Sequence, residues 1–197
     1  MISKKQIYLI GFITLFGFGL LGFLIIENFI HQSFLFVFWH GIKWYLQILI
    51  GGVFGFIAAL TGWALIKSNL LKPVKNHYSE LIKSLNLNKM DIIFLSLCAG
   101  MGEEIFFRGA LQYFLGIWPT SFLFILLHGY INPLNWRLSI YGIVMTFFIV
   151  GLSFLYEFAG MITAITAHFT IDVFLLSVLS AQKPGKNDDL AFRDSIK

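Results

Sequence analysis

Charge is scarce in this chain. Only 12% of its 197 residues are Asp, Glu, Lys or Arg, while 58% are apolar and the mean hydropathy is +0.81. Water-soluble domains carry about 25% charged residues, so a soluble globular fold is excluded and a polytopic membrane protein is indicated. Cysteine is almost absent. Cys98 stands alone, which rules out an internal disulfide and implies no oxidising compartment; a small buried apolar residue is the expected role. A strong basic excess is also missing. The net charge of +4 comes from loops and tails, where anionic lipid headgroups attract it, and it indicates no nucleic-acid partner. There is no internal repeat and no stretch long and polar enough to form a soluble recognition domain.

What the chain has in quantity is apolar and aromatic sequence, including 23 Phe. A membrane span needs about 20 mostly apolar residues. By that measure the spans are predicted near 6–27, 44–66, 91–115, 119–130, 138–156 and 160–180. The first follows Met-Ile-Ser-Lys-Lys and could mimic a signal peptide, but it is long for one and no A-x-A-like site follows; it is read as a retained span. The fourth is too short to cross the hydrocarbon alone at about 1.5 Å per residue, so it must be buried among neighbours or deepened by its flanks. Residues 28–43 are apolar enough to lie in the interface. Residues 67–90 are polar, and Leu81, Ile82, Leu85 and Leu87 set among Lys and Ser suggest a short amphipathic helix on the membrane surface. Gly51, Gly55 and Ala59 form a stripe of small residues suited to close helix packing. The expected fold is therefore an all-α membrane helix bundle of about six spans. Residues 1–181 are taken as a single membrane-embedded domain and 182–197 as a polar cytoplasmic tail.

Lysine and arginine alternate between the connections. Lys4 and Lys5 precede the first span, and Lys67, Lys72, Lys75, Lys83 and Lys89 crowd the loop between the second and third. Arg137 follows the fourth, and Lys183, Lys186, Arg193 and Lys197 lie in the tail. By the positive-inside rule these sides are cytoplasmic, which predicts a plasma-membrane protein with both termini inside.

Against this background a few ionisable residues fall inside predicted spans: Glu103, Glu104 and Arg108 on the third, His128 on the fourth, His168 and Asp172 on the sixth. A charge at bilayer depth costs about 2.5–3.5 kcal/mol even on lenient scales, and such residues usually face the bundle interior and meet one another. Three helices are therefore expected to converge on one polar site. Glu104 and Arg108 are spaced i, i+4 and can pair, with Gln112 extending the stripe. Glu103 is turned away by about 100° and is left free. His168 and Asp172 also share a helix face. Three chemistries suit such a set: hydrolysis with a glutamate as general base and histidines as acid or oxyanion donor; a metal site, since two His and a Glu are zinc-type ligands; or a proton relay in a small transporter. For the last, the inverted repeat or paired broken helices of transporters are missing.

The same residues carry a resemblance. Gly102–Gly109, GEEIFFRG, fits an EExxxR motif through Glu103, Glu104 and Arg108. Phe124 and His128 fit FxxxH, and His168 with Asp172 fits HxxxN/D. In this order on successive apolar segments, over about 91–180, the chain resembles the CPBP family of intramembrane proteases, also called the CAAX-protease, bacteriocin-processing or Abi family. Its eukaryotic member removes the last three residues of prenylated CAAX proteins. The resemblance implies a glutamic endopeptidase acting on a membrane-embedded or lipidated peptide. Glu103 and His128 would activate a water, His168 and Asp172 would form the oxyanion side, and Glu104 and Arg108 would support the site, with Phe124 packed beside His128. No cofactor is implied by the glutamic reading. A metal-dependent reading would place a divalent ion such as zinc on Glu103, His128 and His168. An ionised Asp172 would repel an oxyanion, so it is expected either to carry a proton or to orient His168. Members of the family that do not cleave, serving in bacteriocin immunity, as scaffolds or as partners in lipoprotein modification, define the alternative function.

Overall fold

The computed structural model describes residues 3–181; the tail predicted for 182–197 lies outside the described residues. Within them the secondary structure is helical throughout. Helix α1 runs Lys4–Phe29, opened by a capping box in which Ser3 and Gln6 satisfy each other's backbone N–H groups. A short α2, Phe34–Trp39, occupies the apolar connection, followed by α3, Trp44–Ile66. The polar loop contains α4, Lys72–Ser84, with Pro73 in its first turn and its basic residues on one side, as its amphipathic pattern predicts. Helix α5 spans 89–115 and starts from a second capping box, Asn88 with Asp91. Helices α6, Ile117–Leu127, α7, Trp136–Ala159, and α8, Met161–Ser180, complete the bundle.

All six predicted segments are helical, with boundaries shifted by only a few residues. Four of these helices, α1, α3, α7 and α8, are long and apolar enough to cross a membrane by length and composition. Helix α5 is long enough but carries the charges, and α6 is short. The shortness of α6 is accommodated inside the bundle: Thr120 and Ser121 are fully buried, and the Ser121 and Ser153 hydroxyls meet at 3.1 Å against α7. The predicted helix end at 130 falls earlier, because the chain leaves the α-helix after Leu127 and His128 serves as its C-cap.

Two close approaches hold the site-bearing helices in place. The small-residue stripe of α3 lies on α8: a Cβ on Gly51 would stand 2.4 Å from the Thr163 carbonyl oxygen, and one on Gly55 2.4 Å from that of Ala167. Only glycine permits that separation, and it fixes α8 immediately beside His168. On the other side α1 reaches α5 at Gly102, where a Cβ would meet the Thr14 carbonyl oxygen at 2.2 Å. Both helices are π-helical near this contact, over Ile13–Phe18 and Ile105–Leu111. Phe18 stacks on Phe106 at 5.0 Å between ring centroids. Such wider turns inside α-helices occur frequently at functional sites, and here the π stretch begins one residue after Glu104.

Candidate active site

Helix α5 brings its glutamates to about the middle of its length, since Glu103 lies 14 residues past Lys89, or about 21 Å along the axis. Helix α8 runs antiparallel to it and presents His168, while the end of α6 supplies His128. The adjacent glutamates point to different partners. Glu104 is fully buried and reaches Arg108 Nε at 3.1 Å through Oε2, while its Oε1 accepts a 2.7 Å hydrogen bond from His168 Nδ1–H. Glu103 faces the other way. Its Oε2 lies 3.3 Å from His128 Nε2 and 4.0 Å from His168 Nε2, and this buried oxygen has no hydrogen-bond partner among the described residues.

Backbone and carboxylate acceptors select the tautomers. His128 Nδ1 lies 2.8 Å from the Phe124 carbonyl oxygen. A carbonyl can only accept, so Nδ1 carries the proton and Nε2 is turned to Glu103. His168 Nδ1 is held by Glu104 in the same manner. Both imidazoles thus offer Nε2 to one carboxylate oxygen, an arrangement in which a second hydrogen bond orients a reactive ring.

His168 meets carboxylates on two helices. His168 and Asp172 are neighbours on α8, at 3.5 Å from Nε2 to Oδ2, but the short bond of His168 goes to Glu104. Orientation of His168 is therefore supplied from α5. The Gln112 amide donates to Glu157 at 2.8 Å and to the Ser153 carbonyl at 3.3 Å. That ties α5 to α7 away from the two histidines.

Phe124 does more than fill space beside His128. Its ring stacks on the His128 imidazole at 4.1 Å, meets the His168 ring edge-on at 5.8 Å, and lies under the Arg108 guanidinium at 4.7 Å. A cation over an aromatic face is attracted to it, so one ring links the sealed ion pair to both histidines. Tyr130, which spacing arguments do not single out, stacks on the His128 ring at 5.8 Å and is braced edge-on by Tyr141 at 5.4 Å. No helical periodicity could have found it, because it lies beyond the end of α6. The only signal was its position two residues after His128.

Burial is graded across the site. Arg108 and Glu104 are wholly enclosed, whereas the side chains of His128 and Asp172 are each 30% exposed. A cavity of about 190 Å³ reaches Glu103 and Asp172 from between α1, α4, α5 and α8. A separate cavity of about 300 Å³ lies beyond Arg108, toward Tyr113 and Glu157, and neither histidine of the site lines it. Among the described residues no group of three or more His, Cys, Asp or Glu side chains is gathered closely enough to mark a metal centre. Each histidine keeps Nε2 turned toward Glu103, with the 4.0 Å gap from His168 Nε2 wider than the 3.3 Å gap from His128 Nε2.

Residues 86–174 match the family described as Type II CAAX prenyl endopeptidase Rce1-like. This match supports an assignment to the CPBP, or CAAX-protease, family, which is generally a family of proteases. All six ionisable residues singled out above, and Phe124, lie within the matched segment. The chain is also 41% identical over 83 residues to "Uncharacterized protein YpbD" of Bacillus subtilis (strain 168), a stretch that is 41% of this chain and 41% of that protein. Less than half of that relative's length is therefore matched. No solved structure matches the chain.

Proposed function

We propose that the protein is an intramembrane endopeptidase that hydrolyses a peptide bond in a membrane-embedded or lipidated peptide, using a water activated by Glu103 and His128. The observation that carries this reading is the free, buried Glu103 Oε2 facing two imidazole Nε2 atoms. A water placed there gives a proton to Glu103 as its oxygen bonds to the peptide carbonyl carbon. His168, as the imidazolium with both ring nitrogens protonated, and a protonated Asp172 donate to the carbonyl oxygen as negative charge develops on it. The tetrahedral intermediate then collapses: the C–N bond breaks, and the proton held between Glu103 and His128 passes to the leaving nitrogen. Glu104, Arg108 and Phe124 touch no reacting atom in this scheme. They hold His168 and His128 in register.

The charge distribution supports a plasma-membrane location with the N terminus cytoplasmic, since Lys4, Lys5 and the lysines around α4 gather at the end where α1 and α5 begin. The cavity reaching Glu103 opens beside α4, which supports entry of substrate from that leaflet. The test is cleavage of a pool of apolar peptides by purified protein in liposomes. Glu103→Ala should abolish cut products while leaving the protein folded. Undiminished cleavage by that variant would reject the mechanism, and a cellular phenotype indifferent to Glu103 and His128 would favour the non-proteolytic role.

A further inference from the structure

We infer that α1 builds a specificity subsite: the groove between α1, α4, α5 and α8 receives one uncharged, apolar side chain of the substrate, next to the bond that Glu103 addresses. This rests on the proteolytic reading. The groove is the cavity of about 190 Å³ that ends on Glu103 and Asp172. Apart from those two and Thr14 its lining is apolar. Ile10 and Gly11 of α1 face Leu95 and Ala99 of α5, and Leu85 and Leu87 close it from the exit of α4. Among the described residues no lysine or arginine lines it. Its carboxylates are committed to the chemistry at one end, so a basic side chain drawn to them would occupy the place of the water. The volume limits the occupant, since an aliphatic cavity of about 150 Å³ already accommodates a benzene ring. One side chain of Val, Leu, Ile, Met or Phe size fits; two do not.

The walls are held at a set spacing. At the open end Asp91 of α5 forms an ion pair with Lys4 and accepts a 2.5 Å hydrogen bond from the Tyr8 hydroxyl, and Tyr8 stacks on Phe94 at 5.1 Å. At the closed end Gly102 admits Thr14. Between these two ties Gly11 sets the width: a Cβ there would come 3.1 Å from Leu95 Cδ2, so a larger residue projects toward the groove at the cost of moving one flexible methyl. The family match begins at residue 86, so this wall lies outside the segment that carries the catalytic motifs. The matched segment carries the chemistry and one face of the groove, and α1 adds the opposite wall.

The test uses the full-length protein in liposomes and has two arms. In the binding arm, Glu103→Gln protein is exposed to a pool of apolar peptides carrying one photo-reactive leucine, and crosslinks are mapped by mass spectrometry. Labelling is expected on 7–14 and 95–99, and should fall about tenfold when Gly11→Val or Ala99→Leu is added, the discrimination expected of a pocket altered by a methylene or two. Labelling confined to lipid-facing residues, or indifferent to both substitutions in folded protein, overturns the subsite. In the cleavage arm, the wild type should cut beside Leu, Ile, Val, Met or Phe, and Gly11→Val should shift that position toward Ala and Ser. An unchanged cut-site profile overturns the subsite while leaving the protease intact. Groove labelling with no cleavage by the wild type upholds the subsite and overturns the proteolytic reading.

Discussion

Replacing Glu104 and replacing Glu103 should have opposite consequences although the two are adjacent. Glu104 is fully buried, as is Arg108, and besides that ion pair it accepts the hydrogen bond of His168. Removing one member of a buried pair leaves the other charge uncompensated, at about 3–5 kcal/mol. Two further Arg108 nitrogens already have no hydrogen-bond partner among the described residues, so no second carboxylate bonded to the guanidinium is in place to take over the charge. Glu104→Gln should therefore lower the thermal midpoint by about 6–20 °C, on the scale of 2–4 °C per kcal/mol for a chain of this size. Arg108→Met should do the same. The double variant Glu104→Gln/Arg108→Met should lose much less than the sum, because buried pairs replaced together by neutral groups are often near neutral. Glu103→Gln removes a carboxylate that faces only imidazoles and the cavity, and should shift the midpoint little while lowering cleavage about 10²- to 10⁴-fold, the range for loss of a general base. The measurements are thermal unfolding in detergent and peptide cleavage in liposomes. Additive losses in the double variant, or a Glu103→Gln protein as unstable as Glu104→Gln, would show that the division between a structural and a reactive glutamate is wrong.

Two other expectations concern α8. Gly55→Val should push α3 from α8, since its Cβ would stand 2.4 Å from the Ala167 carbonyl oxygen. Overpacking of that kind costs about 1–3 kcal/mol, so both midpoint and cleavage should fall, whereas Gly52→Val, with no atom near its Cβ, should be silent; equal effects in a thermal and activity comparison would refute the packing argument. Asp172→Asn should keep cleavage within about tenfold while Asp172→Ala loses about 10²-fold, because His168 is already oriented by Glu104 and position 172 is needed as a donor to the oxyanion. An Asn variant as inactive as Ala would mean that the negative charge itself is required.

Much of the site could be read from spacing because its parts lie on helices of regular period. Glu104 and Arg108 had to share a face, and Glu103 had to leave it. The stripe of Gly51, Gly55 and Ala59 announced a close helix contact without saying which helix would fill it. Pairings across helices were less legible. Asp172 is the natural partner of His168 when α8 is considered alone, yet Glu104 approaches more closely, because Gly51 and Gly55 seat α8 against α3 and its histidine face meets α5. Phe124 reads as packing until three charged or polar groups are seen around its ring.

The sequence by itself determined the environment and the cast: too little charge for water, apolar segments of bilayer length, and six costly ionisable residues that could persist only by meeting one another. It also determined the division between the two glutamates, since that follows from the pitch of a single helix. Only the tertiary structure decided which imidazole each glutamate faces, that Tyr130 closes over His128, and that α1 walls the approach to Glu103. Period and composition describe one element at a time. The distance between elements is settled by where backbones can touch, at Gly51, Gly55 and Gly102, and those contacts depend on the whole bundle at once.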